Sequence, residues 1–224
     1  AAGEARVWTA PDAATQPYQS FALSDPEHRV QKIGIGDLNG DGVYDYVVKH
    51  PMENVDPWEV VWYKSPDTYK LEAFLSDGTR LWTRDLGWAI ERGMWYSPYI
   101  VYDFNGDGKA EVAVKMGEGD PRGEDGRVTS GPEWLVILDG MTGADIARAP
   151  WPSREPFENY NLSCRNLLIV AYLDGRTPCV VALRGTYGAQ LGEAWQLKNG
   201  SLERLWSYDN EQFVGCWGQG AHTN

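Results

Sequence analysis

The chain is poor in cysteine, in basic residues and in long apolar runs, and each shortage excludes a class of protein. Its 224 residues include 3 Cys, and 20 Lys and Arg stand against 32 Asp and Glu, for a net charge of −12. Such an acidic chain repels nucleic acid, so we expect no nucleic-acid partner. No run of about 18 apolar residues occurs, so we predict no membrane span. Three cysteines make no disulfide framework. Cys164 and Cys179 flank a predicted hairpin and are either paired or buried thiols.

Two nearly identical nine-residue loops, 37–45 and 103–111, are the most informative feature that is present. Each has oxygen-bearing side chains at positions 1, 3, 5 and 9 and glycines at positions 4 and 6. Calcium takes oxygen ligands in a flexible geometry, and the carbonyl at position 7 supplies one more. We therefore predict at least two structural Ca²⁺ ions; the alternative is an Asx-rich turn without metal. The predicted ligands are Asp37, Asn39, Asp41, Val43 and Asp45 in the first loop, and Asp103, Asn105, Asp107, Lys109 and Glu111 in the second.

Short segments rich in β-branched and aromatic residues flank both loops, which predicts strands and not the helices of an EF-hand. Downstream, three hairpins with Asp-Gly or Asn-Gly turns place their glycines at Gly78, Gly140 and Gly200. Each unit is thus predicted to contain four strands. The third unit has 172–178 in place of an ion loop and lacks most ligand oxygens, so we predict no ion there.

Four-stranded units that repeat at a fixed period are typical of a β-propeller. We predict an all-β fold with about three to four blades, each a four-stranded antiparallel sheet. The blades span roughly 31–88, 95–152 and 160–208, with the start of another at 213–224, after a leader or linker strand at 1–30. Three blades do not close a ring. We therefore expect a second polypeptide or a missing C-terminal part to complete it; a compact three-unit solenoid is the alternative.

The predicted second strand of each unit ends at or beside one basic residue, and these residues are Lys49, Lys115 and Arg184. The antiparallel order predicts that they share one end of the units with the long inserts, opposite the ion loops. There they would form a positive region suited to a carboxylate-bearing polymer. Alternatively, each cation caps its strand or pairs with a loop carboxylate such as Glu53 or Glu118.

Tryptophan and tyrosine outnumber phenylalanine, with 11 Trp and 12 Tyr against 5 Phe. Many of these rings fall in predicted loops, where they suit stacking on sugars; packing between blades is the alternative. The loop rings are Trp58, Trp62, Trp88, Trp95, Tyr96, Trp151, Tyr160 and Trp217.

The chain resembles polysaccharide lyase family 11, the rhamnogalacturonan lyases. The resemblance is carried in order by IGDLNGDGVYDYVVK (35–49), LSDGTRLWTRDLG (75–87), VYDFNGDGKAEVAVK (101–115), LRGTYG (183–188) and GQGAHTN (218–224). It implies the N-terminal half of a calcium-binding, eight-bladed propeller. The chain departs from the family pattern Arg-Gly-Tyr-Tyr-Thr-Arg at 184–189, where it reads Arg-Gly-Thr-Tyr-Gly-Ala.

The resemblance also implies an activity, namely β-elimination in an acidic, uronate-containing plant polysaccharide such as pectic rhamnogalacturonan. The family's catalytic residues fall beyond the matching segments, so the catalytic base and acid are not assigned. By position, the candidate substrate-binding residues are Lys49, Lys115, Arg184, Tyr187 and His222. The alternative function is a non-catalytic, calcium-stabilised module that binds glycans or partner proteins. A hydrolase would require a carboxylate pair that the sequence does not single out.

The expected location is extracellular or periplasmic, because loops of this kind suit compartments rich in calcium. The first residues, Ala-Ala-Gly-Glu, contain no signal peptide and look like a processed start.

Overall fold

The computed structural model describes residues 20–53 and 55–210. These residues form twelve β-strands and one helix of a single turn, α1 (Tyr160–Ser163). The strands make three antiparallel four-stranded sheets. This confirms the all-β class and the predicted four-stranded units, whereas their membership of a propeller stays a prediction. No helix among the described residues is long and apolar enough to cross a membrane.

Within each sheet the strands are arranged in chain order, so every connection inside a sheet joins two strands that are hydrogen-bonded to each other. The first sheet contains β1 (Lys32–Gly36), β2 (Asp45–His50), β3 (Lys70–Phe74) and β4 (Arg80–Asp85). The second contains β5 (Tyr99–Tyr102), β6 (Glu111–Gly117), β7 (Glu133–Leu138) and β8 (Asp145–Pro150). The third contains β9 (Asn166–Ala171), β10 (Cys179–Arg184), β11 (Leu191–Lys198) and β12 (Ser201–Asp209).

The antiparallel order sorts the connections onto two ends. We call the cation-loop end the one that carries 37–44, 103–110 and 172–178, between the first two strands of each sheet. The insert end carries the long connections 51–69, 118–132 and 151–165. The last hairpin of each sheet contains a register shift, at Ala73/Phe74, Ile137/Leu138 and Ala194/Trp195, so the repeat extends to local irregularities.

The sheets pack face to face with their first strands adjacent. Strand β1 lies beside β5, and β5 lies beside β9. Two glycines make the first approach possible, because a Cβ at Gly34 or at Gly36 would come within 2.6 Å of the Val101 side chain. Real Cβ contacts are longer, so only glycine fits at this separation.

Two apolar clusters fill the spaces between successive sheets. The first joins Val47 and Leu71 of the first sheet to Val112 and Val114 of the second. The second joins Ala113, Leu135 and Ile137 to Leu168, Val180 and Trp195 of the third. Since β6 contributes to both clusters from opposite faces, the middle sheet is buried on both sides, which explains its nearly continuous apolar sequence.

Candidate functional site

Both predicted cation loops fold in the same way. In the first, the Asp37 carboxylate accepts hydrogen bonds from the backbone N–H of Gly40 at 2.7 Å, Asp41 at 3.2 Å and Gly42 at 2.8 Å. In the second, Asp103 accepts from the corresponding three amides. Gly42 and Gly108 have φ of 85° and 89°, a region that favours glycine.

In the second loop, Asp103, Asp107 and Glu111 bring carboxylate oxygens within 4.8 Å of one another. Burial raises the pKa of Glu111 to about 7, and the charges of Asp107 and Asp103 act in the same direction. Three carboxylates crowded in this way repel one another, and a divalent cation would remove the repulsion. This donor set fits calcium.

The first loop uses its last carboxylate differently. Asp45 is fully buried and accepts hydrogen bonds from the N–H groups of Leu38 at 2.9 Å and Ser76 at 2.8 Å. Within the described residues, only the second loop brings three carboxylates together as a group. Glu111, the counterpart of Asp45, also accepts from a backbone N–H, that of Phe104 at 2.8 Å, but its other oxygen accepts from Asn105 within the loop at 2.6 Å. The other oxygen of Asp45 instead faces Ser76, outside the loop.

The third sheet has a plain Asx turn at the same place. Asp174 accepts from the N–H groups of Arg176 and Thr177 and from the Thr177 hydroxyl. These hydrogen bonds lower the pKa of Asp174 to about 2. This turn, 172–178, contains one carboxylate, and the absence of an ion there stays a prediction.

At the insert end, two of the three predicted cations meet at one carboxylate. Lys115 Nζ lies 2.7 Å from Glu133 Oε1, and the Arg184 guanidinium forms an ion pair with Glu133 Oε2. Arg154 adds a third cation at 3.1 Å. Burial opposes ionisation of Glu133, but the charges of Lys115, Arg184 and Arg154 outweigh it and lower its pKa to about 2. Lys115 and Arg184 therefore share one internal carboxylate with Arg154, so each is held by an ion pair inside the protein.

Lys49 lies elsewhere, and no carboxylate in residues 20–53 or 55–210 forms an ion pair with it. Its buried Nζ donates to Ser97 O at 2.7 Å and sits 4.6 Å from the centre of the Tyr69 ring. Burial, and second the charge of Lys32, lower the pKa of Lys49 to about 7. The structure thus places one predicted cation apart from the other two.

The two loop carboxylates considered as partners bind other cations. Glu53 pairs with Arg92, and Glu118 pairs with Arg148. Of the remaining predicted residues, Tyr187 is 47% exposed at a φ of 56°, and His222 lies outside the described residues, as do Trp217 and the predicted start of a fourth unit.

Two adjoining cavities open among the connections of the insert end. One, of about 320 Å³, is lined by Trp58, Arg127 and Tyr160, and the other, of about 450 Å³, by Trp58, Arg165 and Tyr187. Trp58 is 50% exposed and belongs to both. An exposed indole beside polar groups is the combination that stacks on a sugar ring while its hydroxyls are hydrogen-bonded.

Ion pairs and stacking hold the floor of these cavities. Arg165 makes a bidentate pair with Asp56, with N–O distances of 3.0 and 2.7 Å, and donates to Asn161 at 2.8 Å. The guanidinium of Arg127 lies 4.5 Å from the Trp62 ring centre and 5.2 Å from that of Tyr160. Sequence reasoning missed Arg165, Asp56 and Glu133, because their partners are distant in sequence and no local spacing marks them.

The loop aromatics divide between surface and core. Trp95, Tyr96 and Trp151 are buried and pack among the sheets and connections. Trp88 is stacked by Arg122, whose guanidinium lies 3.8 Å from the ring centre. Within the described part of the chain, Trp58 is the most exposed ring of the predicted set.

Comparison with known proteins shows the class of enzyme that this chain is similar to: the similar proteins are polysaccharide lyases. The model of the rhamnogalacturonan lyase family 11 C-terminal domain matches residues 24–224. The chain belongs to rhamnogalacturonan lyase family 11. The matched model represents the family's C-terminal domain, which corrects the placement of the chain as N-terminal; its place within a propeller stays a prediction.

Two curated relatives come from Bacillus subtilis (strain 168). The chain is 33% identical to the rhamnogalacturonan endolyase YesW over 263 residues, which covers 100% of the chain and 40% of YesW. It is 35% identical to the rhamnogalacturonan exolyase YesX over 215 residues, which covers 84% of the chain and 34% of YesX. The chain therefore spans about a third to two fifths of these relatives.

Solved structures give the same family. The crystal structure of the exotype rhamnogalacturonan lyase YesX superposes with a TM-score of 0.79 at 32% identity, over 87% of this chain and 37% of that one. A rhamnogalacturonan lyase from Bacillus licheniformis superposes with a TM-score of 0.77 at 32% identity, over 83% and 35%.

Proposed function

We propose that this chain is part of a calcium-dependent lyase that cleaves a rhamnogalacturonan-type polysaccharide by β-elimination. The observation that carries the proposal is the family match over residues 24–224, together with identities of 33% and 35% to an endolyase and an exolyase. The exposed Trp58 between two polar cavities supplies a surface suited to sugar rings.

The reaction sets three chemical requirements. A positive group must neutralise the uronate carboxylate so that the neighbouring C5 proton becomes acidic. A base must remove that proton, and an acid must protonate the leaving glycosidic oxygen. We assign neither the base nor the acid to residues of this chain. Its proposed part in the reaction is to bind and orient the polymer at the insert end.

We further propose that the three sheets are successive blades of a propeller whose remaining blades come from the rest of a longer chain or from a second polypeptide. The adjacency of β1, β5 and β9 supports this, because first strands that neighbour one another across sheets are expected around a central axis. Mass spectrometry of the purified protein would reveal whether one or two polypeptides are present, and an electron cryomicroscopy map would count the blades.

Calcium is proposed as a structural ion at the cation-loop end. Side chains of the two loops would hold it, with the Val43 and Lys109 carbonyls as further ligands. Since the insert end is opposite, the ions would stabilise the hairpins and make no contact with substrate. This dependence on calcium is also why we propose an extracellular or periplasmic location.

The test is an elimination assay on rhamnogalacturonan and polygalacturonate, followed by the ultraviolet absorbance of the unsaturated uronate product. We expect product from rhamnogalacturonan. Binding of the polymer without product from any uronate substrate would favour the second candidate, a non-catalytic glycan-binding module. The specific observation favouring that candidate is the use of Lys115 and Arg184 in an internal ion-pair cluster.

A further inference from the structure

The segment 20–31, which we call the strap, precedes β1 and lies on the outer face of the first sheet, turned away from the second sheet. The ring of Phe21 in the strap stacks on Phe74 of β3, with ring centres 4.3 Å apart. Val47 of β2 packs toward the second sheet. Because side chains alternate along a strand, His50 of the same strand points to the opposite face, toward the strap.

A buried carboxylate binds the strap to this face. Glu72 of β3 accepts hydrogen bonds from the Ser24 backbone N–H at 3.0 and 3.1 Å and from the Ser24 hydroxyl. Arg80 lies 3.8 Å from its second oxygen, which favours the ionised carboxylate. His50 Nε2 is 2.7 Å from Glu72 Oε1. An ionised carboxylate only accepts hydrogen bonds, so His50 Nε2 carries a hydrogen.

A second imidazole, that of His28 in the strap, is oriented in the same way. Its Nε2 lies 3.3 Å from Asp25 Oδ2 and 3.4 Å from Asp67 Oδ2. Burial raises the pKa of Asp67, but the hydrogen bond from Lys70 outweighs this effect, and the pKa is lowered. Asp67 is therefore an acceptor, and the Nε2 atom of His28 also carries a hydrogen.

The remaining ring nitrogens of the two histidines face each other. His28 Nδ1 and His50 Nδ1 are 2.9 Å apart. Since Nε2 carries the hydrogen in both rings, each neutral imidazole has a bare lone pair at Nδ1, and the two lone pairs repel. One extra proton between them makes an N–H donor, for which 2.9 Å is an ordinary hydrogen-bond length. A second extra proton places two N–H groups head to head. The contact is therefore attractive only in the singly protonated pair.

The charges around the pair suit one extra proton. In the described part of the chain, the groups that face it are Asp25 in the strap, Asp67 in the connection 51–69, Lys70 and Glu72 on β3 and Arg80 on β4. Three carboxylates against two cations leave one negative charge, which one proton balances. Burial lowers the pKa of His50, and the charges of His28 and Lys70 act in the same direction, against the hydrogen bond and charge of Glu72. A second proton is thus resisted.

We propose that the strap is a pH-sensitive device, in which one proton shared by His28 and His50 holds segment 20–31 on the first sheet. The strap detaches when the pH rises and the shared proton leaves, and also when the pH falls and a second proton arrives. Detachment uncovers the buried side chains of His50 and Glu72. The inference goes beyond the proposed function, because neither histidine lines the cavities around Trp58.

The test follows amide hydrogen exchange in the protein that contains this chain, with rates corrected for their intrinsic pH dependence. The reporters are the backbone amides of Ser24 and Gln31, which donate to Glu72 and to Lys49 O. Between about pH 4 and pH 9 we expect their protection to pass through a maximum, at least about tenfold above both ends. The amides of β6 serve as the internal reference, and their protection should stay constant. Strap protection that varies no more than that of β6 would overturn the proposal.

Two substitutions of one residue form a matched pair. In His28→Asn the side-chain amide places an N–H donor where Nδ1 stood, so it binds the His50 lone pair without an extra proton. We expect this variant to keep its strap protection at alkaline pH, whereas His28→Ala loses protection at every pH. Protection that still falls on the alkaline side in His28→Asn would show that the shared proton is not what holds the strap.

A second measurement needs no substitution. Imidazole nitrogen NMR of the parent protein should show the Nδ1 atoms of His28 and His50 sharing one proton at the pH of maximum protection, with coupled titration of the two rings. Independent titration of each ring would overturn the proposal even if a variant failed to fold. Neither measurement involves polysaccharide, so failure of the strap proposal and failure of the proposed lyase are separate outcomes.

Discussion

The carboxylate of Glu133 in the second sheet joins Lys115 of its own sheet to Arg184 of the third. Arg184 ends β10, Lys115 lies two residues before the end of β6, and Glu133 begins β7, the third strand of the middle sheet. The cluster therefore ties two sheets together at the insert end, beside the apolar cluster that fills the space between them.

Replacing Glu133 with glutamine should destabilise the fold strongly. The change leaves three buried or partly buried cations without an anion, for which we expect a loss of about 3–5 kcal/mol in the free energy of unfolding. Denaturant unfolding measures it. Glu118→Gln is the control, because the Glu118–Arg148 pair is exposed, and we expect at most about 1 kcal/mol there. Equal losses in the two variants would contradict the role assigned to Glu133.

The lowered pKa of Glu133 predicts that the free energy of unfolding falls in acid. The folded-state pKa of Glu133 is about 2, below its ordinary value of 4.5. A lowered carboxyl pKa contributes stability that is present above pH 4.5 and is lost as the pH falls through 4.5 towards 2, on the order of 3 kcal/mol in total. Stability curves of the parent and of Glu133→Gln should converge over this interval; parallel curves would show that Glu133 does not titrate there.

Calcium should raise the melting temperature, and Asp107→Ala should reduce that response. The variant removes one carboxylate from the cluster with Asp103 and Glu111. Calcium would then bind the folded protein more weakly, and its binding would stabilise the fold less. Melting curves with calcium and with chelator test this. Asp174→Ala is the control, since its turn lacks the ligand set and its calcium response should equal that of the parent. A melting temperature of the parent protein that chelator leaves unchanged would refute the calcium proposal.

Trp58→Ala should weaken the binding of rhamnogalacturonan oligosaccharides. Removing an exposed ring that two cavities share costs about 1 kcal/mol of stacking, roughly fivefold in affinity. Affinity electrophoresis or calorimetry measures it. Trp206→Ala is a matched control, because Trp206 is 45% exposed on β12 and lines neither cavity. Equal affinity losses in the two variants would remove Trp58 from the binding surface.

Local patterns were sufficient to predict the strands and turns. Alternating β-branched residues around Asp-rich loops gave strands near the observed β1, β2, β5 and β6, and the Asp-Gly and Asn-Gly turns gave the second hairpins. The single-turn helix α1 was not predicted. It rests on local cap contacts, in which the Asn159 side chain accepts from Leu162 N.

At the insert end, the sequence predicted the positions of the basic residues but not their ion-pair partners. Strand ends place Lys49, Lys115 and Arg184 at one end of the molecule, and that much follows from antiparallel order alone. Whether the charges of Lys115 and Arg184 are engaged depends on Glu133, whose contact with Arg184 joins residues 51 positions apart in the chain. Pairing over such distances is decided by which sheets become neighbours.

The sequence by itself determined the repeat, the all-β class and the two carboxylate-rich loops, because each is written in residues within a few positions of one another. Only the tertiary structure decided which cations pair with a carboxylate and which do not. That outcome depends on the packing of the sheets, where Gly34 allows β1 to approach β5. Electrostatic pairing is a property of distances in space, and short-range sequence patterns carry little information about them.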